Sequence, residues 1–397
     1  MTKWKETEIG NIPEDWEVIT IADLFTVKNG KTNSQDAVEN GKYPLFDRST
    51  VIKFSNKYLF DSEAIIIPGE GKEFMPHCFL GKFDLHQRVY AIMPKTAQVC
   101  LRFFYYWMYY DRDYLARIAV GSTVKSLRLN HLTGFPAPKP ALSEQQAIAK
   151  ILSDLDSKIE LSQQMNKTLE SIAQAIFKHW FIDFEFPDEN GKPYKSSGGE
   201  MVDSELGEIP KGWTISELGN FVNFVKGRKS TVTSTVPVNG YSKLILIETL
   251  NGGEPTYVPV ENSIQVTGEV PIMVMDGASS GRIEIGHVGV LGSTLSKLII
   301  ENDTLTYSYL YCFLKNLQED INQNTTGTSI PHTDKERIRK YRFALPPFNL
   351  LSLFERIWLF VLRKQINNRE EVHLLSEMRD LLLPRLMSGK IRVPLEE

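Results

Sequence analysis

Two stretches of the chain place mostly apolar side chains at alternating steps of four and three residues. The first runs through Ile148, Leu152, Leu155, Ile159, Ser162, Asn166, Leu169, Ala173, Ile176 and Trp180. The second runs through Phe354, Trp358, Val361, Gln365, Asn368, Val372, Leu375, Arg379, Leu382 and Leu386, each 206 positions after its counterpart. Such steps average about 3.5 residues per turn, the seam of a coiled coil. Both seams turn polar midway, at Ser162 with Asn166 and at Gln365 with Asn368. Polar residues in a seam cost stability but fix register and partner. Either helix alone could pack on its own domain; matched polar layers favour pairing of the two. The pattern predicts long helices over 142–181, opened by Ser143 as N-cap, and over 348–389. Pro384 is expected to kink the second, and Gly389 suits its C-terminal cap.

Elsewhere the apolar runs are short and strand-like. They include Ala64-Ile65-Ile66-Ile67 and Val89-Tyr90-Ala91-Ile92, with an aromatic helix near 101–108. Later come Lys243–Ile247, Pro271–Met275 and Lys297–Ile300. These regions mix short strands with turns and a helix. Gly69-Glu70-Gly71 reads as a turn, since it lacks the third glycine and following helix of a phosphate loop.

The chain says the same thing twice. Glu8-Ile9-Gly10-Asn11-Ile12-Pro13-Glu14-Asp15-Trp16 returns as Glu205-Leu206-Gly207-Glu208-Ile209-Pro210-Lys211-Gly212-Trp213, 197 positions later. Basic turns at Gly30-Lys31 and Gly227-Arg228 keep that offset. By Gly121-Ser122-Thr123-Val124 and Gly327-Thr328-Ser329-Ile330 the offset has grown to 206, so the second copy holds extra residues between. A copied unit of this size is a domain rather than a solenoid repeat. The expected layout is a domain at 1–141, a long helix at 142–186, a linker at 187–204, a second domain at 205–347 and a second long helix at 348–397.

Composition narrows the function. A chain of 397 residues with 42% hydrophobic and 24% charged residues is that of a soluble globular protein with room for several cores. Its start is polar and no apolar run could span a bilayer, so a cytoplasmic protein is expected, with no membrane partner. Three scattered cysteines argue against disulfides and zinc. Net charge is −4, but local field governs nucleic-acid binding. No acid occurs in 114–143, which holds Arg117, Lys125, Arg128 and Lys139, or in 219–247, which holds Lys226, Arg228, Lys229 and Lys243. Walker, His-Glu-x-x-His and Asn/Asp-Pro-Pro-Tyr motifs are all missing. No catalytic residue and no metal ligand is assigned. The turn Asp276–Arg282 could suit a serine nucleophile or a phosphate contact.

The whole chain resembles the specificity subunit of Type I restriction–modification systems. The carrying residues are the paired Gly-x-Ile-Pro-x-x-Trp openings, Gly327-Thr328-Ser329-Ile330, the Pro138–Gln146 run and Leu381–Ile391. One departure stands out: Leu142-Ser143-Glu144-Gln145-Gln146 becomes Phe348-Asn349-Leu350-Leu351-Ser352 in the second copy. The resemblance implies an α+β fold: two similar target-recognition domains joined and spaced by two long helices that form an antiparallel coiled coil. It implies a bipartite double-stranded DNA target and a chain that is not itself an enzyme. Partners would be two methyltransferase subunits, which bind S-adenosylmethionine, and restriction subunits that use ATP; this chain would need no cofactor. Candidate DNA contacts are Lys31, Ser122, Lys125 and Arg128 in the first copy. In the second they are Lys226, Arg228, Lys229, Ser279, Arg282, Ser329 and His332. A scaffold with two protein-binding domains is the alternative.

Overall fold

The computed structural model describes residues 3–49, 51–71, 73–327 and 330–393. It divides into two compact units, Met1–Glu160 with His373–Glu397, and Leu161–Val372. The boundary falls inside both long helices, so each unit holds one α+β domain and part of each helix.

In the first unit the hairpin Trp4–Thr7 and Gly10–Pro13 is followed by Glu17–Thr20, which pairs with Pro136–Lys139. A six-stranded sheet comes next. Its order is Phe25–Asn29, Val89–Pro94, Phe60–Pro68, His77–Leu85, Tyr43–Phe46, Lys53–Ser55. All neighbours are antiparallel except His77–Leu85 with Tyr43–Phe46. The run Ala64–Ile67 lacks polar alternation because both sheet faces are covered. Ile65 and Ile67 join the main core, whereas Ala64 and Ile66 join a smaller one. The main core gathers Trp16, Phe25, Phe103, Phe104 and Phe135, Ile148 and Leu152 of the first long helix, and Leu383 and Leu386 of the second.

The second unit repeats the plan: a hairpin Met201–Ser204 with Gly207–Pro210, then Thr214–Glu217 paired with Arg342–Leu345. Its core holds Phe177, Phe181, Trp213, Tyr309, Phe343, Phe354 and Trp358. Its sheet is cut into two four-stranded pieces. The extra residues of the second copy are spread over several connections between Lys226 and Gln265 rather than gathered in one loop.

The first long helix spans Leu142–Phe177 and ends in a π-helical turn at Lys178–Ile182. Ser143 is not its N-cap. The helix already includes Leu142, and Gln145 N–H donates to Ala141 O (3.0 Å), so the cap position falls earlier. The second helix spans Phe348–Met387 and runs through Pro384 without ending; Gly389, at φ +70°, follows it.

None of the twenty seam positions is exposed. Within the second unit the polar layers meet. Asn166 Nδ2 donates to Gln365 O (3.1 Å), Gln365 Nε2 to Asn166 O (3.2 Å), and Asn368 Nδ2 to Asn166 Oδ1 (2.8 Å). Ser162 Oγ donates to Glu371 (2.9 Å), so partners rise along one helix as they fall along the other. The helices are antiparallel. Within the first unit the charged seam residue Arg379 pairs with Asp156 (3.0 Å), which also accepts from Tyr106 Oη (2.7 Å).

Candidate nucleic-acid interface

In the first domain, loops gather where the strands Phe25–Asn29, Tyr43–Phe46, Phe60–Pro68 and His77–Leu85 all end. The ladder registers place these ends together: Asn29 opposite Tyr90, Pro68 opposite Val89, and Phe46 opposite Leu85. Gly30 lies so close to the turn after Leu85 that a Cβ would sit 1.9 Å from Leu85 O. Only glycine permits that approach. Lys31 N–H then donates to Leu85 O (3.0 Å), leaving its side chain exposed.

The glycine-rich segment forms the other side. Val120 and Ser126 exchange backbone hydrogen bonds of 2.9 and 2.7 Å, closing a tight loop over 121–125. Gly121 sits at φ +120°, a region that other residues avoid. Gly71 N–H to Lys125 O (3.1 Å) and Leu127 N–H to Gly69 O (2.8 Å) stitch this loop to the turn at 69–71. Glu70 lies between them. Its carboxylate takes Arg48 on one oxygen (2.7 Å) and Arg88 on the other.

The second domain rebuilds this arrangement bond for bond. A Cβ on Gly227 would meet Gly292 O at 2.3 Å, and Arg228 N–H donates to Leu291 O (3.1 Å). Thr326 and His332 exchange backbone bonds of 2.8 and 2.7 Å. Gly277 N–H donates to Pro331 O (3.0 Å), and Thr333 N–H to Met275 O (2.8 Å). Asp276 now holds the centre, paired with His332 Nδ1 (2.8 Å) and Lys226 Nζ (3.3 Å). Partial burial would raise its pKa, but hydrogen bonds from His332 and Lys226 outweigh this and hold the carboxyl below its usual range. These groups line an open cleft with Thr326, Thr333 and Lys335 and two further acids, Asp334 and Glu336.

The structure brings together most of the residues read from sequence. Lys31, Ser122 and Lys125 are exposed on the loops of the first domain, and Arg128 is exposed just before the short helix Leu129–Thr133. Lys226, Arg228, Lys229 and His332 are exposed in the second. Ser329 lies outside the described residues. Arg282 is engaged elsewhere: its Nε donates to Glu284 and its Nη1 to Asn251 Oδ1, both at 2.7 Å. Ser279 is half-buried in the turn that carries Arg282, and neighbouring Ser280 spends its hydroxyl on the carbonyls of Gly277 and Pro331.

Sequence reasoning missed Glu70, Asp276, Arg48 and Arg88. The acids had a signal, because Glu70 and Asp276 keep the 206-residue offset of Gly121 and Gly327. Among the described residues no helix is long and apolar enough to cross a membrane, and no cluster of metal ligands occurs.

The Type I restriction modification DNA specificity domain model matches residues 13–171 and 210–350, more than half of the chain. The specificity subunit of the MjaIX enzyme from Methanocaldococcus jannaschii is 28% identical, over 99% of this chain and 97% of that one. The HindI specificity subunit from Haemophilus influenzae is 22% identical, over 98% of this chain and 100% of its own length. A crystal structure of the S subunit from M. genitalium has the same fold, with a TM-score of 0.65 and 20% identity, covering 97% of this chain and 98% of that one. By its matched domains and its fold, the chain belongs to the Type I restriction–modification DNA specificity family.

Proposed function

We propose that each domain reads one half of a bipartite DNA target with the loop end described above, and that the chain thereby directs the methyltransferase and endonuclease subunits of a Type I complex. The observation that carries this reading is the duplicated loop end. Two domains with different surface residues present the same backbone arrangement of basic turn, glycine loop and central carboxylate. A duplicated site fits a target with two halves.

Lys226, Arg228 and Lys229 form the basic turn of the second domain; Lys31, Lys125 and Arg128 serve the first. Of these, Arg228, Lys229, Lys31, Lys125 and Arg128 take phosphates, whereas Ser122, His332 and Lys226, which Asp276 holds beside His332, are placed for base edges or sugar. Ser329 belongs to the same loop by sequence. Arg282 and Ser279 contribute by holding the turn 276–282. Methylation and cleavage reside in the partner subunits. Docking of those subunits is supported by apolar side chains left exposed on the long helices: Leu161, Ile172 and Phe360 in the second unit, and Leu374, Met378 and Leu381 in the first.

The test is binding of the reconstituted complex to DNA across a salt series. Replacing Arg228 and Lys229 together by Ala should weaken binding about equally on all sequences. The log–log salt slope should fall by roughly 0.9 for each phosphate that is no longer neutralised. Unchanged affinity and slope would remove this turn from the interface.

A further inference from the structure

Glu70 and Asp276 are acids at the centre of the surfaces that carry the candidate DNA contacts. Their backbones are fixed by the same hydrogen bonds in both domains, yet the side chains they hold differ in type and origin. Glu70 takes Arg48, which follows the strand Tyr43–Phe46, and Arg88, from the turn before Val89–Pro94. Asp276 takes Lys226, at the end of Val222–Lys226, and His332, from the glycine loop. Neither carboxylate is freely exposed; the Glu70 side chain is 14% accessible and that of Asp276 is 27%.

A carboxylate here costs phosphate affinity. It removes one unit of the charge that a DNA backbone would feel, and that term dominates sequence-independent binding. What it gives in return is direction. An arginine or lysine anchored at one edge keeps its remaining donors aimed one way, so less side-chain freedom is lost on binding. Direction is wasted on a phosphate, which accepts from many angles. It matters for a base edge, where a guanidinium must meet guanine O6 and N7 in one plane.

We infer that Glu70 and Asp276 are positioning residues that set sequence discrimination, each for the half-site read by its own domain, by fixing the pair of side chains that it holds. The inference rests on the proposed reading that this loop end faces DNA. A shared acid with interchangeable hydrogen-bond donors would let one scaffold serve different half-sites: two arginines in the first domain, lysine with histidine in the second.

The experiment uses the reconstituted complex carrying Glu70→Gln or Asp276→Asn. The cognate site comes from sequencing the methylated bases of the host. Binding is measured on the cognate duplex, on duplexes with either half-site scrambled, and on a fully scrambled duplex, across a salt series. Glu70→Gln should tighten binding to the scrambled duplex and steepen its salt slope by up to about one. It should lower discrimination at one half-site by about tenfold or more, the scale of one good base contact. Asp276→Asn should do the same at the other half-site only, and Asp276→Glu should restore it. A merely structural role would weaken binding on every duplex and would never tighten the scrambled one.

Should Glu70→Gln fail to fold, Arg48→Lys with Arg88→Lys carries the test. It keeps the charge and removes the planar fork, so discrimination should fall at unchanged salt slope. Unchanged discrimination in the variants that fold overturns the inference. If Arg48→Ala with Arg88→Ala also leaves all binding unchanged, the reading of this end as the DNA face fails with it. If that double variant weakens binding while Glu70→Gln leaves discrimination intact, only the inference falls.

Discussion

The two domains share their loop ends and differ in the sheets behind them. In the first, Phe60–Pro68 and His77–Leu85 are continuous nine-residue strands paired from Phe60 to Ile66. In the second, the matching stretches are broken into Gln265–Val266 with Ile272–Val274, and Ile283–Glu284 with Gly289–Leu291. Pro271 has no N–H to give a ladder and falls inside the first break. Gly286, at φ +82°, falls inside the other, and its N–H donates to Gly268 O (2.9 Å). The second long helix meets this gap: Arg369 Nη1 donates to Ile285 O (2.7 Å), and Ile366 packs beside Gly268 and Gly286. The middle of the sheet is therefore negotiable, while the geometry at its loop end is kept.

The same exchange occurs where each long helix begins. In the first unit, buried Glu144 accepts from Trp16 Nε1 (3.0 Å) and from Arg392 (2.7 Å), which also grips Asp15 (2.8 Å). At the matching places of the second unit stand Leu350 and Phe186, and Phe186 stacks on Trp213 at 5.4 Å. An ionic lock has become an aromatic one. The departure from Glu144-Gln145 to Leu350-Leu351 is thus compensated rather than a defect. Gln145 Oε1 accepts from Cys100 N–H (3.0 Å) at the start of the aromatic helix Leu101–Tyr110. In the second unit Thr306 caps the equivalent helix itself, and Glu355 accepts from Ser308 N–H (3.2 Å).

These differences can be broken experimentally. The largest effect is expected from Gly286→Ala. A Cβ there would lie 2.6 Å from Arg369 Nη1 and 3.3 Å from Ile366, on a left-handed backbone. Backbone strain of about 1–2 kcal/mol adds to overpacking of about 1–3 kcal/mol. Gly81→Ala, with nothing nearer than Phe79 at 3.8 Å, should cost the backbone part alone. Equal destabilisation in denaturant unfolding would mean that docking of the helix is not what shapes the break.

Next comes pH. Burial would raise the pKa of Glu284, but Arg282 and His287 outweigh it and lower the carboxyl to about 2 from 4.5. A depressed carboxylate stabilises fully above its unfolded value and loses that stabilisation as pH falls through its folded one. The second unit should therefore weaken between about pH 4.5 and 2, by up to about 3 kcal/mol. Cys78 stands at the matching position of the first unit, and burial pushes its thiol up to about 11, so it stays neutral across that window. Glu284→Gln should flatten the acid limb of the unfolding curve; an unchanged limb would refute the assignment.

The smallest effect sharpens the comparison of the locks. Glu144→Leu should destabilise the first unit by about 1–3 kcal/mol, because Trp16 Nε1 is left without its acceptor. Adding Arg392→Phe copies the second unit, and part of the stability should return in a double-mutant cycle. Strict additivity would show that the locks are not equivalent.

Much of this was legible beforehand. The seams could be read because periodicity alone decides which helix face is buried, and the polar layers marked the register. Strands were placed within a few residues: Lys243–Ile247 was expected and Tyr241–Ile245 observed. Ser143 was misread as a cap because capping depends on where the preceding prolines let the helix begin. Arg282 looked free because Asn251 is brought to it by the fold from 31 residues away, although Glu284 stands only two residues on.

By itself the sequence determined the duplication, the two helices and their seam, since each depends on spacing along one chain, and its paired motifs carried the resemblance that implied the α+β class. Only tertiary structure decided which side chains meet. Arg48 and Glu70 are 22 residues apart, and Lys226 and Asp276 are 50 apart. Nothing local marks an acid as the anchor of distant cations, because ion pairing depends on distances of a few ångströms that the folded sheet alone creates.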